Sequence, residues 1–526
     1  MNSQTTYLES QIAYHSICHL YACAGMDSDI FYNEDILALS LDAEPDSLYQ
    51  QDAKRKYYYA GAYIKQGKAI YFPIDSPGVL WTEAVEAFKM PEGTLMAIAS
   101  ASKSVSYSEY NFTDHIRKKD DSGNARLFVQ NMCKEIMGYT QTDQGIKFNF
   151  YDERFTEYEN KVSMVMKIIQ DVSIRIVDRT IDDAIRKYSI NPQKTYIALS
   201  GGYSLNCPTN THIMHKYKFK GQLMIPCVND SGQSIGIGLA YFYNHICKVN
   251  FKFPGAYLGG KYEVYDKKFD FYIESKTEGS KYFVQDIERE PLIWFNGRAE
   301  SGPRALGNRS ILADPRDERS KIKLNIIKKR EWWRPVAPII LKSELSNWFD
   351  SSFESKYMLN NFTIKNEKRN LVPAILHLDN TSRVQTIEYE NGLLFQMLKM
   401  FYEKTGVPIL CNTSLNDKNE PIIETIDEAI NFALRKGISI AYINGIRYKF
   451  YRHEYYNKQL PLKRRDKLFT KYIEQKKLVN KLNPYGITAK EYDIYMNSDL
   501  PKECDFRSEY EVKRLKRIIY KISKMY

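Results

Sequence analysis

The sequence predicts an α/β protein with several folding units. Short apolar runs that are typical of strands end in loops of glycine and polar residues, as at 35–42, 195–206 and 406–416. Elsewhere apolar residues recur at helical spacing, most clearly from Glu157 to Tyr188. Strands interspersed with amphipathic helices favour the α/β class. The 526 residues correspond to roughly three or four units of about 150 residues each.

The composition bounds the class of protein. The apolar fraction of 43% is close to the globular average of about 45–50%. No run approaches the ~18 apolar residues of a membrane span, and the first residues lack the pattern of a signal peptide. The eight cysteines include no C-x-x-C pair, which argues against a zinc ribbon or a disulfide framework. We therefore expect a cytoplasmic protein that does not enter a membrane.

The positive charge is concentrated near the end of the chain. Residues 451–526 contain 19 Lys and Arg against 10 Asp and Glu, whereas the first 450 residues carry a net charge of only +2. A basic segment with interleaved aromatic residues favours phosphate-rich partners such as nucleic acid. The alternative is a solvated helical face without a partner.

The first candidate site is a histidine pair. His15 and His19 are four residues apart, so on a helix they share one face, a spacing that suits two imidazole ligands of one metal ion. Two structural histidines are the alternative. The strand-like run that begins at Asp35 ends in Asp42, whose carboxylate is well placed to join a metal. His212 and His215 are interpreted as packing or surface residues.

Two glycine-containing turns follow. After the strand from Thr195, Gly201 and Gly202 form a turn before a probable helix start, where backbone N–H groups favour phosphate. A plain tight turn is the alternative. At 228–240, Asp230 begins a turn and three glycines open an apolar helix.

The densest motif spans residues 292–314. The apolar run Leu292 to Phe295 predicts a strand, and the loop after it combines glycines and a proline with Arg298, Arg304 and Arg309. Glycine lets a backbone approach a ligand closely, and guanidinium groups match phosphate and carboxylate geometry. The stretch predicts a site for a polyanionic small molecule. A solvated basic loop is the alternative.

Three later strand ends carry polar residues. Arg334 precedes a strand, Arg383 follows a predicted strand in 371–387, and the strand within 406–416 ends in an Asn/Thr/Ser/Asn loop. We expect one sheet edge to present these side chains, where it could hold a nucleotide and a small phosphate together.

Together these stretches resemble the O-carbamoyltransferase family of nodulation-factor and antibiotic biosynthesis. The most specific match is G-R-A-E-S-G-P-R-A-L-G-N-R-S-I-L-A-D-P-R at 297–316. R-E-W-W-R-P-V-A-P, H-L-D-N-T-S-R-V-Q-T and T-G-V-P-I-L-C-N-T-S-L-N-D-K-N-E-P-I follow in the family's order. L-S-G-G-Y-S-L-N-C and N-D-S-G-Q-S-I-G match its earlier half. The resemblance covers roughly residues 10–445.

The resemblance implies two catalytic halves and a chemistry. Residues 1–250 would be a carbamoyl-transfer domain of the sugar-kinase, Hsp70 and actin superfold, and residues 251–450 an α/β domain like the threonylcarbamoyl-adenylate synthases. The second half would form carbamoyl-adenylate from carbamoyl phosphate and ATP with Mg²⁺, and the first would pass the carbamoyl group to an acceptor hydroxyl beside an iron-type divalent metal. Residues 451–526 lie beyond the family's usual end, as a basic helical extension.

The resemblance also assigns individual residues by their matching motif positions. The metal ligands would be His15, His19, Asp42 and Asp230. The catalytic arginines would be Arg298, Arg304, Arg309, Arg334 and Arg383. The residues that bind ATP, adenylate or carbamoyl phosphate would be Gly201, Gly202, Asn206, Asn308, Ser310, Asn412 and Ser414.

The sequence departs from the family at two points. Only fourteen residues precede His15, where the family normally has about ninety or more that form the opening strands. We therefore expect a truncated first domain, completed by a second chain or a homodimer, or left open. In the family pattern E-G-K-V-M-G-L-A, Thr94 replaces Lys and Ala97 replaces Gly.

The acceptor stays open at this point. The basic extension and the missing lobe favour a polymer, such as a 5-hydroxymethyl pyrimidine in DNA. The alternatives are a sugar or natural-product hydroxyl, or a non-catalytic binding subunit of a larger carbamoyltransferase.

Overall fold

The computed structural model describes residues 11–43, 57–118, 121–245, 248–351, 353–418, 420–457 and 460–462, with 485–488, 491, 494–495, 498, 500, 504 and 508–522. The described residues up to 461 belong to one compact unit, and those from 462 onward belong to a second. The mixture of helices and sheets confirms the α/β class. The domain boundary expected near residue 250 stays a prediction. No helix within the described ranges is both long and apolar enough for a membrane span.

A five-stranded sheet forms the core before residue 250. Its strands are β1 (Asp35–Ser40), β2 (Ala60–Lys65), β3 (Lys68–Pro73), β4 (Thr195–Ser200) and β5 (Gly221–Leu223). Their order is β3-β2-β1-β4-β5; β1, β2 and β3 pair antiparallel, whereas β4 pairs parallel with β1 and β5. Because β1 and β4 run parallel in register up to Ser40 and Ser200, the residues that follow them meet at the same sheet edge. This edge holds Asp42 and the Gly201–Gly202 turn.

Eight helices accompany this sheet. They are α1 (Tyr14–Ala24), α2 (Ser28–Asn33), α3 (Gly78–Phe88), α4 (Glu92–Ala99), α5 (Ser122–Met137), α6 (Glu157–Tyr188), α7 (Cys207–Tyr217) and α8 (Gln233–His245). The periodicity at 157–188 is a single helix, α6, which a Thr156–Glu159 capping box begins and left-handed Ser189 ends. Helix α1 packs against α8. Gly236 makes this possible, since a Cβ there would lie 2.0 Å from the Cys18 carbonyl oxygen.

An eight-stranded sheet follows residue 250, with a two-stranded ribbon beside it. The strands are β6 (Ile273–Glu278), β7 (Leu292–Phe295), β8 (Arg309–Ala313), β9 (Ala337–Leu341), β10 (Asn361–Thr363), β11 (Thr381–Arg383), β12 (Gln385–Ile387), β13 (Ile409–Ser414), β14 (Ile440–Ile443) and β15 (Ile446–Phe450). The sheet order is β12-β9-β13-β8-β7-β14-β15-β6, and β10 pairs with β11. The central strands β7, β8 and β9 are buried along their whole length.

Among the described residues, five helices lie in this part of the chain and one in the second unit. They are α9 (Phe283–Arg289), α10 (Glu318–Ile327), α11 (Leu345–Trp348), α12 (Leu393–Thr405), α13 (Ile426–Lys436) and, in the second unit, α14 (Glu509–Ile522). The strand predicted before Arg383 is wrong, because 366–375 forms two 3₁₀ turns around Pro373. Proline has no N–H to donate to a strand ladder. Arg383 instead ends the short strand β11.

Candidate metal centre and anion site

The histidine pair of α1 faces two carboxylates. The Nε2 atoms of His15 and His19 are 3.1 Å apart, and they lie 2.9 and 3.1 Å from Asp42 Oδ2. Asp230 Oδ1 lies 3.2 Å from His19 Nε2 and 3.5 Å from His15 Nε2. The four residues predicted as metal ligands are thus brought together, and among the described residues they are the only group of this kind.

The backbone fixes Asp42 with one oxygen turned toward the histidines. Asp42 Oδ1 accepts hydrogen bonds from the N–H groups of Ala43 (2.9 Å) and Gly202 (3.1 Å), which leaves Oδ2 facing His15 and His19. Gly201 has a φ of +92°, and a Cβ there would lie 2.3 Å from the Leu41 carbonyl oxygen. The close approach therefore requires glycine. The turn predicted as a nucleotide loop orients the carboxylate of Asp42, a candidate metal ligand.

In the cluster of two histidines and two aspartates, the imidazoles and the carboxylates stabilise each other's charged forms. Burial would lower the pKa of His15, but its hydrogen bonds to Asp230 and Asp42 raise that pKa to about 9. Burial would raise the pKa of Asp42, yet the two histidines hold it well below its usual range. Hydrogen bonds from His15 and His19 lower the pKa of Asp230 to about 2.

The donor set fits a divalent metal ion. Four tetrahedral ligands at 2.0–2.1 Å from an ion would be about 3.3–3.4 Å apart, close to the separations of 2.9–3.5 Å given above. Two imidazoles with carboxylates suit iron or zinc. Gln233, whose Nε2 is 3.3 Å from the His15 carbonyl oxygen, borders the cluster. His19 Nδ1 is buried with no hydrogen-bond partner among the described residues, so it lacks the usual support of a ligand imidazole.

The loop between β7 and β8 is held from inside by Glu300. Its Oε1 accepts hydrogen bonds from the backbone N–H groups of Leu306 (2.8 Å), Asn308 (2.7 Å) and Arg309 (3.0 Å). Gly302, with a φ of +93°, lies against the Pro226 carbonyl, where a Cβ would be 2.3 Å from the oxygen. Sequence reasoning missed Glu300, although its acidic side chain in an arginine-rich loop could have drawn attention to it.

The Arg309 guanidinium is bonded to the backbone of its own loop and of the segment before α13. Its guanidinium makes five hydrogen bonds, all to the carbonyl oxygens of Asn296, Gly297, Asn308 and Glu424. It also stacks 3.6 Å from the centroid of Phe295. The Arg309 side chain is completely buried. In this structure the Arg309 guanidinium holds the loop, and the catalytic role predicted for it stays a prediction.

Arg298 also stands apart from the other arginines. It is exposed and donates to the carbonyl oxygens of Gly259 and Leu258. Asn308 Nδ2 donates to the carbonyl of Arg298 at 2.8 Å. Arg298 and Asn308 thus brace the loop, and their predicted roles stay predictions.

Arg304, Arg334 and Arg383, three of the predicted arginines, lie in one cluster with Arg330, which the sequence did not single out. Burial lowers the pKa of Arg383 to about 9, assisted by the charges of Arg304, Arg330 and Arg334. Arg304 likewise lowers the pKa of Arg334, after burial. Among the described residues only Glu331 has a carboxylate within 4.0 Å of any of these four guanidiniums, at 3.6 Å from Arg334.

Three of the four guanidiniums in this cluster have a buried nitrogen without a partner in the described part of the chain. The Nε atoms of Arg304, Arg334 and Arg383 are buried without a hydrogen-bond partner among the described residues. Arg330, by contrast, donates to Asn325 Oδ1 at 2.6 Å and to the Pro335 carbonyl. Buried cations are costly unless paired. The arrangement is therefore suited to an anion that the guanidiniums clamp from several sides.

Polar residues of β8 and β13 lie near the loop. Asn412 Nδ2 donates to the Ala305 carbonyl at 3.0 Å, and its Oδ1 is buried without a partner in the described ranges. The Ser310 Oγ is likewise without a partner there. Ser414 contacts Lys328 Nζ at 3.0 Å. Burial lowers the pKa of Lys328 to about 7, and the sequence gave no signal for this residue.

Two further residues lie near these sites. Asn206 begins α7 as an N-cap: its Oδ1 accepts from Thr209 N at 3.1 Å and its Nδ2 donates to Gln170 Oε1 at 2.8 Å, and its predicted role in nucleotide binding stays a prediction. His377, which sequence reasoning did not single out, is buried beside Arg383, and its pKa falls to about 4 mainly through burial. Its Nε2 has no partner among the described residues.

One short segment joins the two sites. Pro226 supports Gly302 of the arginine loop, and the carbonyl of Val228 accepts from Gly201 N at 2.7 Å. Asp230 of the metal cluster comes two residues later. Residues 226–230 therefore contact the arginine loop at one end and supply a candidate metal ligand, Asp230, at the other.

Comparison with known proteins finds similarity to carbamoyltransferases. Residues 285–449 match the family model of the carbamoyltransferase C-terminus. Over 270 residues the chain is 32% identical to nodulation protein NolNO of Sinorhizobium fredii, covering 48% of this chain and 40% of that protein. It is 37% identical over 224 residues to nodulation protein U of Azorhizobium caulinodans, covering 42% and 39% of the two chains.

A third relative has a substrate in its name. The chain is 30% identical over 259 residues to a 3'-hydroxymethylcephem-O-carbamoyltransferase of Amycolatopsis lactamdurans, covering 47% of this chain and 48% of that protein. These matches confirm the resemblance to O-carbamoyltransferases that the motifs indicated. The chain spans about half the length of the curated relatives it matches.

Proposed function

We propose that this chain is an ATP-dependent O-carbamoyltransferase, which moves a carbamoyl group from carbamoyl phosphate through carbamoyl-adenylate to an acceptor hydroxyl. The observation that carries the proposal is the set of buried guanidinium groups of Arg304, Arg334 and Arg383, whose Nε atoms have no partner among the described residues. They belong to the region that resembles the carbamoyltransferase C-terminus. Carbamoyl phosphate and ATP are the anions for which such a cluster is suited.

The chemistry sets what these residues must do. Carbamoyl-adenylate keeps only the α-phosphate of ATP. Water must therefore first hydrolyse carbamoyl phosphate to carbamate and inorganic phosphate, and a carbamate oxygen must then attack the α-phosphate of ATP, bound with Mg²⁺, so that pyrophosphate leaves. Both steps move negative charge onto phosphoryl oxygens. Guanidiniums that are fixed in advance stabilise such charge without reorganising. Asn412 and Ser310 offer a free acceptor and a hydroxyl beside them.

The histidine–aspartate cluster is proposed as the transfer site. His15, His19, Asp42 and Asp230 would hold a divalent metal ion, which when bound would polarise the carbamoyl carbonyl as a Lewis acid. The backbone clamp on Asp42 orients its Oδ2 for this task. The acceptor oxygen would attack the carbamoyl carbon directly, and AMP would leave.

The domain assignments follow the same proposal. Residues 1–250 would form the transfer domain of the sugar-kinase and actin superfold, and 251–450 the adenylate-forming domain. The separation of β1–β5 from β6–β15 on either side of residue 250 supports this division. A second chain or a homodimer that completes the first domain stays part of the proposal.

The central test measures pyrophosphate release from ATP and carbamoyl phosphate. Changing Arg304 or Arg383 to Gln should reduce release at least about a hundredfold, since each change removes a charge-assisted contact. Arg319→Gln is the matched control, because Arg319 is 79% exposed and pairs with Asp317. Normal release by the Arg383 variant would refute the proposal, and no release by the full chain under any condition would favour a non-catalytic subunit.

For the acceptor we favour a hydroxymethyl pyrimidine in DNA. The supporting observation is α14, which buries Val512, Leu515 and Ile519 and turns cations to the solvent on its other face. The exposed cations are Lys513, Arg514, Arg517 and Lys521. Exposed Tyr510 and Tyr520 flank them, as is typical of surfaces that contact nucleic acid.

Two measurements test the acceptor. Mass spectrometry should find an added carbamoyl group on hydroxymethylated DNA and none on small sugars; the reverse result would favour the small-molecule acceptor suggested by the cephem relative's name. The double variant Arg514→Glu/Arg517→Glu should weaken DNA binding and flatten its salt dependence, by about 0.9 in slope for each lost phosphate contact. Lys399→Glu, on exposed α12 surface, is the control.

A further inference from the structure

The segment that carries Arg334 is docked onto helices of the five-stranded sheet's half of the chain. It runs from the end of α10 to the start of β9. The Trp332 ring lies 5.2 Å from that of Phe155, and Trp333 Nε1 donates to Glu159 Oε1 at 2.9 Å. The third contact is the hydrogen bond from Arg334 Nη1 to Thr94 Oγ1, at 2.6 Å. The anion site therefore depends on residues far outside the region that carries its arginines.

Thr94 is the closest side-chain acceptor for Arg334 in the described structure. Its hydroxyl lies 2.6 Å from Nη1, whereas the Glu331 carboxylate lies 3.6 Å away. Thr94 is 7% exposed and lies in the first turn of α4, where its own N–H is bonded to the Pro91 carbonyl at 2.8 Å. Helix α4 therefore fixes the position of the hydroxyl, and the hydroxyl restricts the guanidinium.

The neutrality of this acceptor matters for an anion site. A carboxylate at position 94 would neutralise Arg334 and compete with the ligand. A lysine at this position would place another cation beside Arg334, which already lies within the field of Arg304. Threonine holds Arg334 through one hydrogen bond and leaves the positive charge available, with the Nε edge of the guanidinium unpartnered.

We propose that Thr94 is a positioning residue for the anion site: its hydroxyl orients Arg334 toward carbamoyl phosphate and links the metal-bearing half of the chain to the adenylate-forming half. This inference rests on the proposed function, since it assigns Arg334 to the binding of carbamoyl phosphate. Thr94 acts only through Arg334 and contacts no substrate. Its loss should therefore raise KM for carbamoyl phosphate while KM for ATP and kcat change little.

The test compares Thr94→Val with Thr94→Ser in the full chain. Valine keeps the shape without the hydroxyl and should raise KM for carbamoyl phosphate about tenfold, whereas serine should stay within about twofold of the parent. Thr195→Val is the matched control, because Thr195 is equally buried and donates one hydrogen bond, to the Asn191 carbonyl, in β4. Inorganic phosphate, as a competitive probe, should lose affinity in the Thr94→Val variant by the same factor.

A double-mutant cycle separates positioning from a general effect on folding. If Thr94 acts through Arg334, Thr94→Val should add no further loss in an Arg334→Met background. Additive losses, an equal loss in Thr94→Ser, or an unchanged KM in Thr94→Val would each overturn the inference. Failure of the unaltered chain to use carbamoyl phosphate would instead overturn the proposed function.

Discussion

Replacing Arg383 by methionine should stabilise the protein in the absence of its ligand. The pKa of the Arg383 guanidinium falls to about 9, through burial and then through the charges of Arg304, Arg330 and Arg334. That is roughly three to four pKa units below the ordinary value for arginine, and each pKa unit corresponds to ~1.4 kcal/mol. Keeping this cation in the folded protein thus costs on the order of 4–5 kcal/mol.

Most of that cost should be recovered in the variant. Methionine retains an unbranched apolar side chain of similar reach, and no described side chain loses a hydrogen-bond partner. Allowing for lost packing, we expect the free energy of unfolding to rise by about 1–3 kcal/mol, as when buried charges are exchanged for apolar groups. Urea denaturation with and without 10 mM phosphate would measure it. Phosphate should stabilise the parent and have little effect on the variant.

The pH dependence of the free energy of unfolding tests independently whether the Arg383 charge destabilises the folded protein. The folded state holds the Arg383 proton more weakly than the unfolded chain does, so the penalty is complete at neutral pH and fades as the pH rises above about 9. The advantage of Arg383→Met should shrink over the same range. Arg309→Met is the contrasting variant, because its five hydrogen bonds to carbonyls would be lost, and it should destabilise by about 3–5 kcal/mol. Destabilisation by Arg383→Met of more than about 1 kcal/mol would refute the reasoning.

Three further predictions concern the metal cluster and Lys328. His15→Ala and His19→Ala should lose bound iron or zinc, measured by elemental analysis, and carbamoyl transfer, while pyrophosphate release continues; normal transfer by both variants would contradict the assignment. Gly236→Ala should lower metal affinity about 10–100-fold, because its methyl group would push α8 and the neighbouring Asp230 from α1, whereas Gly238→Ala faces open space and should bind metal normally. Because the pKa of Lys328 is lowered to about 7, the free energy of unfolding should rise between pH 7 and 10, and Lys328→Met should reduce this rise; an identical pH profile would show that Lys328 is not the group responsible.

The metal cluster was largely predictable from the sequence. The i, i+4 spacing fixed the relation between His15 and His19, and the strand end identified Asp42. The approach of Asp230 was not predictable from spacing, because it depends on Gly236 letting α8 contact α1. Asp230 was assigned instead from the resemblance to the carbamoyltransferase family. The size and charge of its side chain alone would not have identified it.

The sequence predicted which residue types would form the anion site, but it did not predict which arginine would have which role. The five predicted arginines carry the same guanidinium group. That of Arg309 donates to four backbone carbonyls, whereas the Nε of Arg383 has no hydrogen-bond partner among the described residues. This distinction depends on which carbonyls the loop presents. The same limit applies to Thr94, which the sequence marked only as a departure from the family pattern, since its contact with Arg334 forms only when distant segments pack together. Arg330 was not singled out.

Glu300 has a consequence for the speed of binding. Its carboxylate already satisfies three backbone N–H groups of the arginine loop, so the loop has its final conformation before any ligand arrives. Association then need not wait for the backbone to order, and the encounter rate should be governed by diffusion in the field of the guanidiniums. Such steering weakens as salt screens the field. Stopped-flow measurements should therefore show an association rate for carbamoyl phosphate that is linear in its concentration and falls steeply with ionic strength.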